Sequence, residues 1–160
     1  MFRLLEKEEI QYNWDEYQGA IVKALNASIG AETTIGSSDN AVGQIYKKLT
    51  NPFNSSMQLW VVEEEDAINY VVLTQLQQCE FTDRKSLVWF SATRTRDVDA
   101  ADMVKAYEEG ERGLKDYASK NDCVGICGYT DLDYFAKKVK EDWEGAITRY
   151  FFYLPMKNTA

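Results

Sequence analysis

Tyr70-Val71-Val72-Leu73-Thr74-Gln75-Leu76-Gln77-Gln78-Cys79-Glu80-Phe81, then Thr82-Asp83-Arg84-Lys85, then Ser86-Leu87-Val88-Trp89-Phe90-Ser91-Ala92: this stretch decides how the chain folds. Two runs rich in β-branched, aromatic and aliphatic residues flank a polar segment, the pattern of a long β-hairpin. In the second run Leu87 and Trp89 fall on one face of a strand and Val88 and Phe90 on the other. A strand that is apolar on both faces has to be covered on both faces, so the run predicts a central strand.

Working upstream, residues 57–63 read as a further strand, and Glu64-Glu65-Asp66 as the exposed tip of a second hairpin. Residues 2–5 fit a short first strand. Asn13, with Glu16 three residues on, fits a capping box, and Trp14, Tyr17, Ile21, Val22 and Leu25 recur at helical spacing over 14–27. The Gly-, Ser- and Thr-rich segment 29–38 reads as a loop. Asp39 or Asn40 caps a second helix, with Val42, Ile45, Tyr46 and Leu49 inward, and Asn51-Pro52 ends it.

Downstream, Asp97 or Asp99 opens a long helix over 100–119, with Met103, Tyr107, Leu114 and Tyr117 on its buried side. Gly110 and Gly113 lie inside it. Glycine in a helix costs about 1 kcal/mol against alanine, so their presence predicts close packing or a mild kink. Residues 124–128 read as a short buried strand, 132–140 as a helix capped by Asp131, and 148–156 as a last strand closed by Pro155. No linker, repeat or low-complexity tract divides the chain, so one domain over 1–160 is expected, of mixed α/β (α+β) class.

Composition removes several kinds of chemistry. The chain has no histidine, which excludes Ser-His-Asp and Cys-His nucleophiles, histidine metal sites and the commonest general base. Cys79, Cys123 and Cys127 are odd in number, and the CxxxC pair has no third or fourth ligand, so reduced thiols and no metal centre are expected. A net charge of −8, with scattered basic residues, argues against a nucleic-acid surface and suits a basic protein partner. No apolar run approaches the roughly 18 residues of a membrane span, and the start of the chain turns acidic too early for a signal peptide.

The order strand, helix, helix, three-strand meander, helix, strand, helix, strand resembles the GNAT (Gcn5-related N-acetyltransferase) fold. Over 57–156, Leu87-Val88-Trp89-Phe90-Ser91-Ala92, a long helix ending in Lys120-Asn121-Asp122-Cys123, and Val124-Gly125-Ile126-Cys127-Gly128-Tyr129-Thr130-Asp131 resemble the GNAT-like proteins of tailed bacteriophages. The resemblance implies a mostly antiparallel mixed sheet of about six strands with helices on both faces.

The resemblance also sets what a working enzyme of the family needs. Its fourth strand ends in a splayed β-bulge, followed by a glycine-containing loop at a helix N-terminus, where backbone N–H groups and the helix dipole hold the pyrophosphate of acetyl-CoA. Here that loop is Thr93-Arg94-Thr95-Arg96-Asp97-Val98-Asp99-Ala100-Ala101-Asp102, without glycine and with three aspartates. The family's general-acid Tyr finds Ala136 or Lys137 at its position. Tyr134 is out of register by two or three residues, a turn of roughly 200° or more on a helix, and Tyr129 takes the place of the family's Asn.

Two readings follow. The first is a non-catalytic GNAT-fold phage protein without a cofactor, acting in the virion or its assembly through contacts with other virion proteins or with itself. Tyr12, Trp14, Tyr17 and the aromatics of 150–153 then serve as contact residues or as core. Such a protein resides in the host cytoplasm or the virion. The second is an acyl-CoA-dependent N-acyltransferase, with Ser91, Thr93, Arg94 and Arg96 holding acetyl-CoA and Glu80, Tyr129 or Tyr134 moving protons. An acidic inhibitor of a host protein is a third reading, which calls for a denser run of carboxylates than the chain has.

Overall fold

The computed structural model describes residues 1–26, 38–53, 56–128 and 133–147. The chain divides into two compact units, Met1–Tyr129 and Thr130–Ala160. In the first, strands β1 (Phe2–Leu4), β2 (Met57–Glu64), β3 (Ala67–Gln78), β4 (Lys85–Arg94) and β5 (Cys123–Gly128) form one sheet in the order β1-β2-β3-β4-β5. All neighbours are antiparallel except β4 and β5, which are parallel. Helices α1 (Lys7–Tyr12), α2 (Trp14–Asn26) and α3 (Ser38–Thr50) follow β1, and α4 (Ala100–Lys120) links β4 to β5. The second unit contributes α5 (Asp133–Asp142). This is the GNAT-like mixed fold. The expected strand at 148–156, the loop at 29–37 and the cap at Asp131 lie outside the described residues.

The two faces of β4 behave as its sequence requires. Leu87 is fully buried in a layer with Trp60, Val72, Leu114 and Ala118, against α4, and Trp89 packs on that layer. Val88 and Phe90 are buried in the opposite layer, with Tyr17, Ile21, Ile45, Leu59 and Leu73, under α1, α2 and α3. The Trp60 indole stacks on Phe2 at 5.0 Å, meets Tyr117 edge-on at 5.1 Å, and donates from Nε1 to Thr74 Oγ1 at 2.9 Å. Thr74 passes the chain on to Gln58 Oε1 at 3.0 Å, so these buried polar groups satisfy one another.

Some expected boundaries move. The turn joining β3 and β4 takes Cys79–Arg84 rather than the four residues 82–85, because the Asp83 N–H bonds back to the Cys79 carbonyl at 3.0 Å and Asp83 adopts φ +53°. Glu80 therefore sits in the turn and not on the strand. Glu65 and Asp66, at φ +50° and +62°, form the expected acidic hairpin tip, a two-residue loop with the dihedral signs of a type I′ turn. The helix expected to be capped by Asp39 or Asn40 starts at Ser38, so both lie in its first turn. Helix α1 has too few residues to show periodicity and was not expected; Asn13 accepts with its main-chain carbonyl from Glu16 N–H at 3.0 Å as α1 gives way to α2. Met103 lies on the exposed side of α4, and Val124 makes β5 a partly exposed strand rather than a buried one.

Strand β1 is held by side chains as well as by its ladder. Arg3 reaches Glu63 through Nε and Nη2, both at 2.7 Å, and Glu9 through Nη1 and Nη2 at 2.9 and 2.6 Å. The guanidinium, by hydrogen bonds first, holds the Glu9 carboxyl below its ordinary range. A carboxyl so depressed adds stability that is complete above its unfolded pKa and is lost as pH falls through its folded value. Acid titration of unfolding stability will therefore be shallower in Arg3→Met than in the parent, most visibly below about pH 4.3, the ordinary Glu value.

The helix glycines mark close packing. A Cβ on Gly113 would lie 2.4 Å from Phe2 Cδ1, whereas one on Gly110 would meet the same ring at 3.8 Å. Gly113→Ala should cost about 1–3 kcal/mol, because the stacked Phe2 ring has to move. Gly110→Ala should be neutral or stabilise by about 0.5–1 kcal/mol through helix propensity. Urea unfolding of the two variants separates a steric role from a general intolerance of alanine.

Candidate functional site

The site is built where β4 leaves its neighbours. On the β3 side Leu73 pairs with Ser91 and Thr74 with Trp89, so Phe90 is an extra residue, a β-bulge. On the β5 side pairing runs from Lys85–Cys123 to Trp89–Gly128 and stops. From Phe90 to Arg94, β4 has no strand partner on its β5 edge among the described residues. Gly128 ends the pairing in close contact, since a Cβ there would sit 3.2 Å from the Trp89 carbonyl oxygen. The bulge thus lies where the described β4–β5 pairing ends, and beyond it the main-chain groups of β4 have no strand partner on that edge among the described residues.

The bulge also resets the alternation of side chains. Without it Ser91 and Thr93 would share the α4 face with Leu87 and Trp89. With it they stand opposite Leu73 and Val71, on the face covered by α1 to α3, and Thr93 is buried. Arg94 stands opposite Tyr70 and is exposed. Burial pushes the Tyr70 phenol above its ordinary value, and the Arg94 charge partly opposes that rise.

Beyond β4 the chain is tied back to the start of β3. The Thr95 N–H donates to the Asn69 carbonyl at 3.0 Å, Thr95 Oγ1 donates to the Ile68 carbonyl, and Arg96 Nε donates to Asn69 Oδ1. Asn69 is itself an extra residue in β3, between the pairs Val62–Tyr70 and Glu63–Ile68, and is 3% exposed. Asp99 then caps α4: its Oδ1 accepts from the Asp102 N–H at 2.8 Å. The Asp102 carboxyl is raised by loss of hydration and by the neighbouring Asp99 and Glu64 carboxylates. The first turn of α4 is therefore already served by a carboxylate of the chain itself. No residue from Thr95 to Asp99 adopts a left-handed conformation.

The structure brings Ser91, Thr93, Arg94 and Arg96 to one end of β4 and leaves Glu80 at the other. Glu80 lies in the turn before Lys85, and five strand steps of about 3.3 Å, roughly 17 Å, separate Lys85 from the bulge at Phe90, with nine steps, roughly 30 Å, to Arg94. Glu80 is thus too far from the bulge and from Arg94 to serve chemistry there, a correction to its role as candidate base. Tyr129, and the side chain of Tyr134 on α5, lie outside what the structure describes. Asn69 and Tyr70 were missed: nothing in a strand-forming run marks Asn69 as bulged, and Tyr70 reads as ordinary strand.

Among solved structures, an aminoglycoside acetyltransferase from an uncultured soil metagenomic sample, in complex with sisomicin, is 10% identical, with a TM-score of 0.66, covering 98% of this chain and 96% of that one. A ribosomal-protein-alanine N-acetyltransferase from Brucella melitensis biovar Abortus 2308 is 11% identical, with a TM-score of 0.63 over 98% of each chain. A predicted acetyltransferase with acetyl-CoA from Clostridium acetobutylicum is 13% identical, with a TM-score of 0.61 over 97% of this chain and 95% of that one. At such identities the likeness establishes the fold. No family model and no curated protein matches the sequence.

The self-made cap has a measurable weight. Asp99→Ala should lower stability by about 1 kcal/mol, and Asp99→Asn, which keeps the acceptor, by less than about 0.5 kcal/mol. Thermal unfolding of both variants tests whether Asp99 serves α4 as a cap.

Proposed function

We propose that the chain is an N-acyltransferase that takes its acyl group from a coenzyme A thioester held against β4. The observation that carries this reading is the Phe90 bulge, beside which the described β4–β5 pairing ends at Trp89 and Gly128. The β4 edge after the bulge, unpaired among the described residues, fits the extended, amide-bearing arm of such a thioester, which would pair with the strand as another strand would. The phosphate end fits less well: Asp99 occupies the α4 N-terminus, and the loop has no glycine to let backbone close in. Phosphates would have to be met by the exposed Arg94 and Arg96 side chains. In the transfer, a C–N bond to the acceptor amine forms as the C–S bond breaks, and the amine's proton passes to the departing thiolate. Tyr129 and Tyr134 are the proposed carriers of that proton.

A second reading rests on Asp99. A carboxylate of the chain standing where an anionic ligand would bind favours a non-catalytic protein that uses the scaffold for contacts with other proteins. On this reading such contacts lie in a virion or its assembly, as the resemblance to phage GNAT-like proteins implies.

Calorimetric titration with acetyl-CoA decides between the two. The enzyme reading expects micromolar binding, weakened about tenfold or more in Arg94→Ala/Arg96→Ala and unchanged in Glu80→Gln. Absence of heat at millimolar acetyl-CoA gives the case to the second reading.

A further inference from the structure

We propose that Asn69 is a positioning residue that fixes the guanidinium plane of Arg96 for an anionic group of the thioester donor. This rests on the acyltransferase reading above. Asn69 is a polar residue buried to 3% exposure at a bulge in β3, where a strand residue would ordinarily alternate into the ladder. The bulge frees its side chain from the strand's alternation, and Oδ1 accepts from Arg96 Nε.

A guanidinium is rigid and planar, so holding Nε orients the whole fork. The same residue's carbonyl fixes the main chain one position earlier through the Thr95 N–H at 3.0 Å, and Thr95 Oγ1 bonds the Ile68 carbonyl. Arg96 is thus secured at its backbone and at Nε, while its two terminal nitrogens have no partner among the described residues, and the residue is exposed. A cation needed only to brace the loop would spend its fork on Asp97 or Asp99 nearby. Here no ion pair forms with either. Three chain steps lead from Arg96 to the cap at Asp99, so the Cα atoms of the two residues lie within about 11 Å of each other. The ligand class that suits such a fork is a phosphate, bound by two parallel N–H donors.

The test compares acetyl-CoA with acetyl-pantetheine, which lacks the phosphates, by calorimetry on the full chain. Arg96→Ala is expected to weaken acetyl-CoA about tenfold and leave acetyl-pantetheine within twofold. Asn69→Ala should weaken acetyl-CoA about threefold to tenfold, and should add nothing in an Arg96→Ala background, because it acts through that side chain. Where Asn69→Ala does not fold, Arg96→Lys replaces it: the charge stays, the planar fork is lost, and acetyl-CoA should weaken while acetyl-pantetheine does not. Equal loss for both donors in Asn69→Ala, additivity with Arg96→Ala, or Arg96→Lys equal to the parent overturns the proposal. Parent protein that binds neither thioester overturns the acyltransferase reading itself, a result distinct from binding that ignores Asn69.

Discussion

Everything in the first unit depends on β4 being dry on both faces. Leu87 and Val88, adjacent in sequence and pointing opposite ways, are both almost fully buried, one under α4 and one under α1 to α3. A strand in that position cannot slip by one residue without carrying Ser86 into the buried place of Leu87, so its register is fixed from both sides. Against that fixed register, the single extra residue at Phe90 has a large effect. It turns Ser91 and Thr93 toward one layer and Arg94 toward the other, next to the last described pair of β4 with β5. The core sets the strand, and the one irregularity in the strand sets the site.

The site is composed of two parts with opposite electrostatic character. The β4 edge after the bulge offers neutral main-chain groups. The loop after it offers two guanidinium groups and three carboxylates, with Asp99 satisfying α4 from within and Asn69 holding Arg96. A helix N-terminus capped by its own carboxylate is more stable alone and less welcoming to an anion. On the acyltransferase reading, the loop would trade affinity for phosphate against helix stability. In this respect it departs from the glycine cradle that the family resemblance implies.

Much of the fold is legible in the residues because apolar pattern and strand geometry agree. The alternation Leu87/Trp89 against Val88/Phe90 placed β4 at the centre, and of the two helix glycines, read as close packing or a mild kink, Gly113 is the one that Phe2 approaches closely. Tyr17 reads as core or contact and is core, at 2% exposure, while Tyr12 is 89% exposed. The site was less legible. A bulge is a property of two strands in register, so neither Phe90 nor Asn69 carries a mark of it in its own sequence neighbourhood. The place of Glu80 was misread for a related reason. The Cys79-Glu80-Phe81 segment has strand-like composition, but the main-chain bond from Asp83 to Cys79 closes the turn earlier than composition suggests.

The ring of Phe2, seated over Gly113 and stacked on Trp60, has a consequence for the order of events in folding. The β2–β3 and β3–β4 pairs are joined by short turns and close quickly, whereas β1 meets β2 across about sixty residues, Phe2 opposite Val62. Closing so long a loop costs more entropy, and its return comes only once both Trp60 and the groove on α4 are in place. Among the described strands, β1 is therefore the one whose pairing carries the largest loop-closure cost and is expected to arrive last. Until it does, the outer edge of β2, with Trp60 and Val62 along it, is an unpaired apolar strand edge of the kind that recruits other chains. The missing side chain at position 113 thus bears on aggregation during synthesis as much as on the stability of the finished molecule.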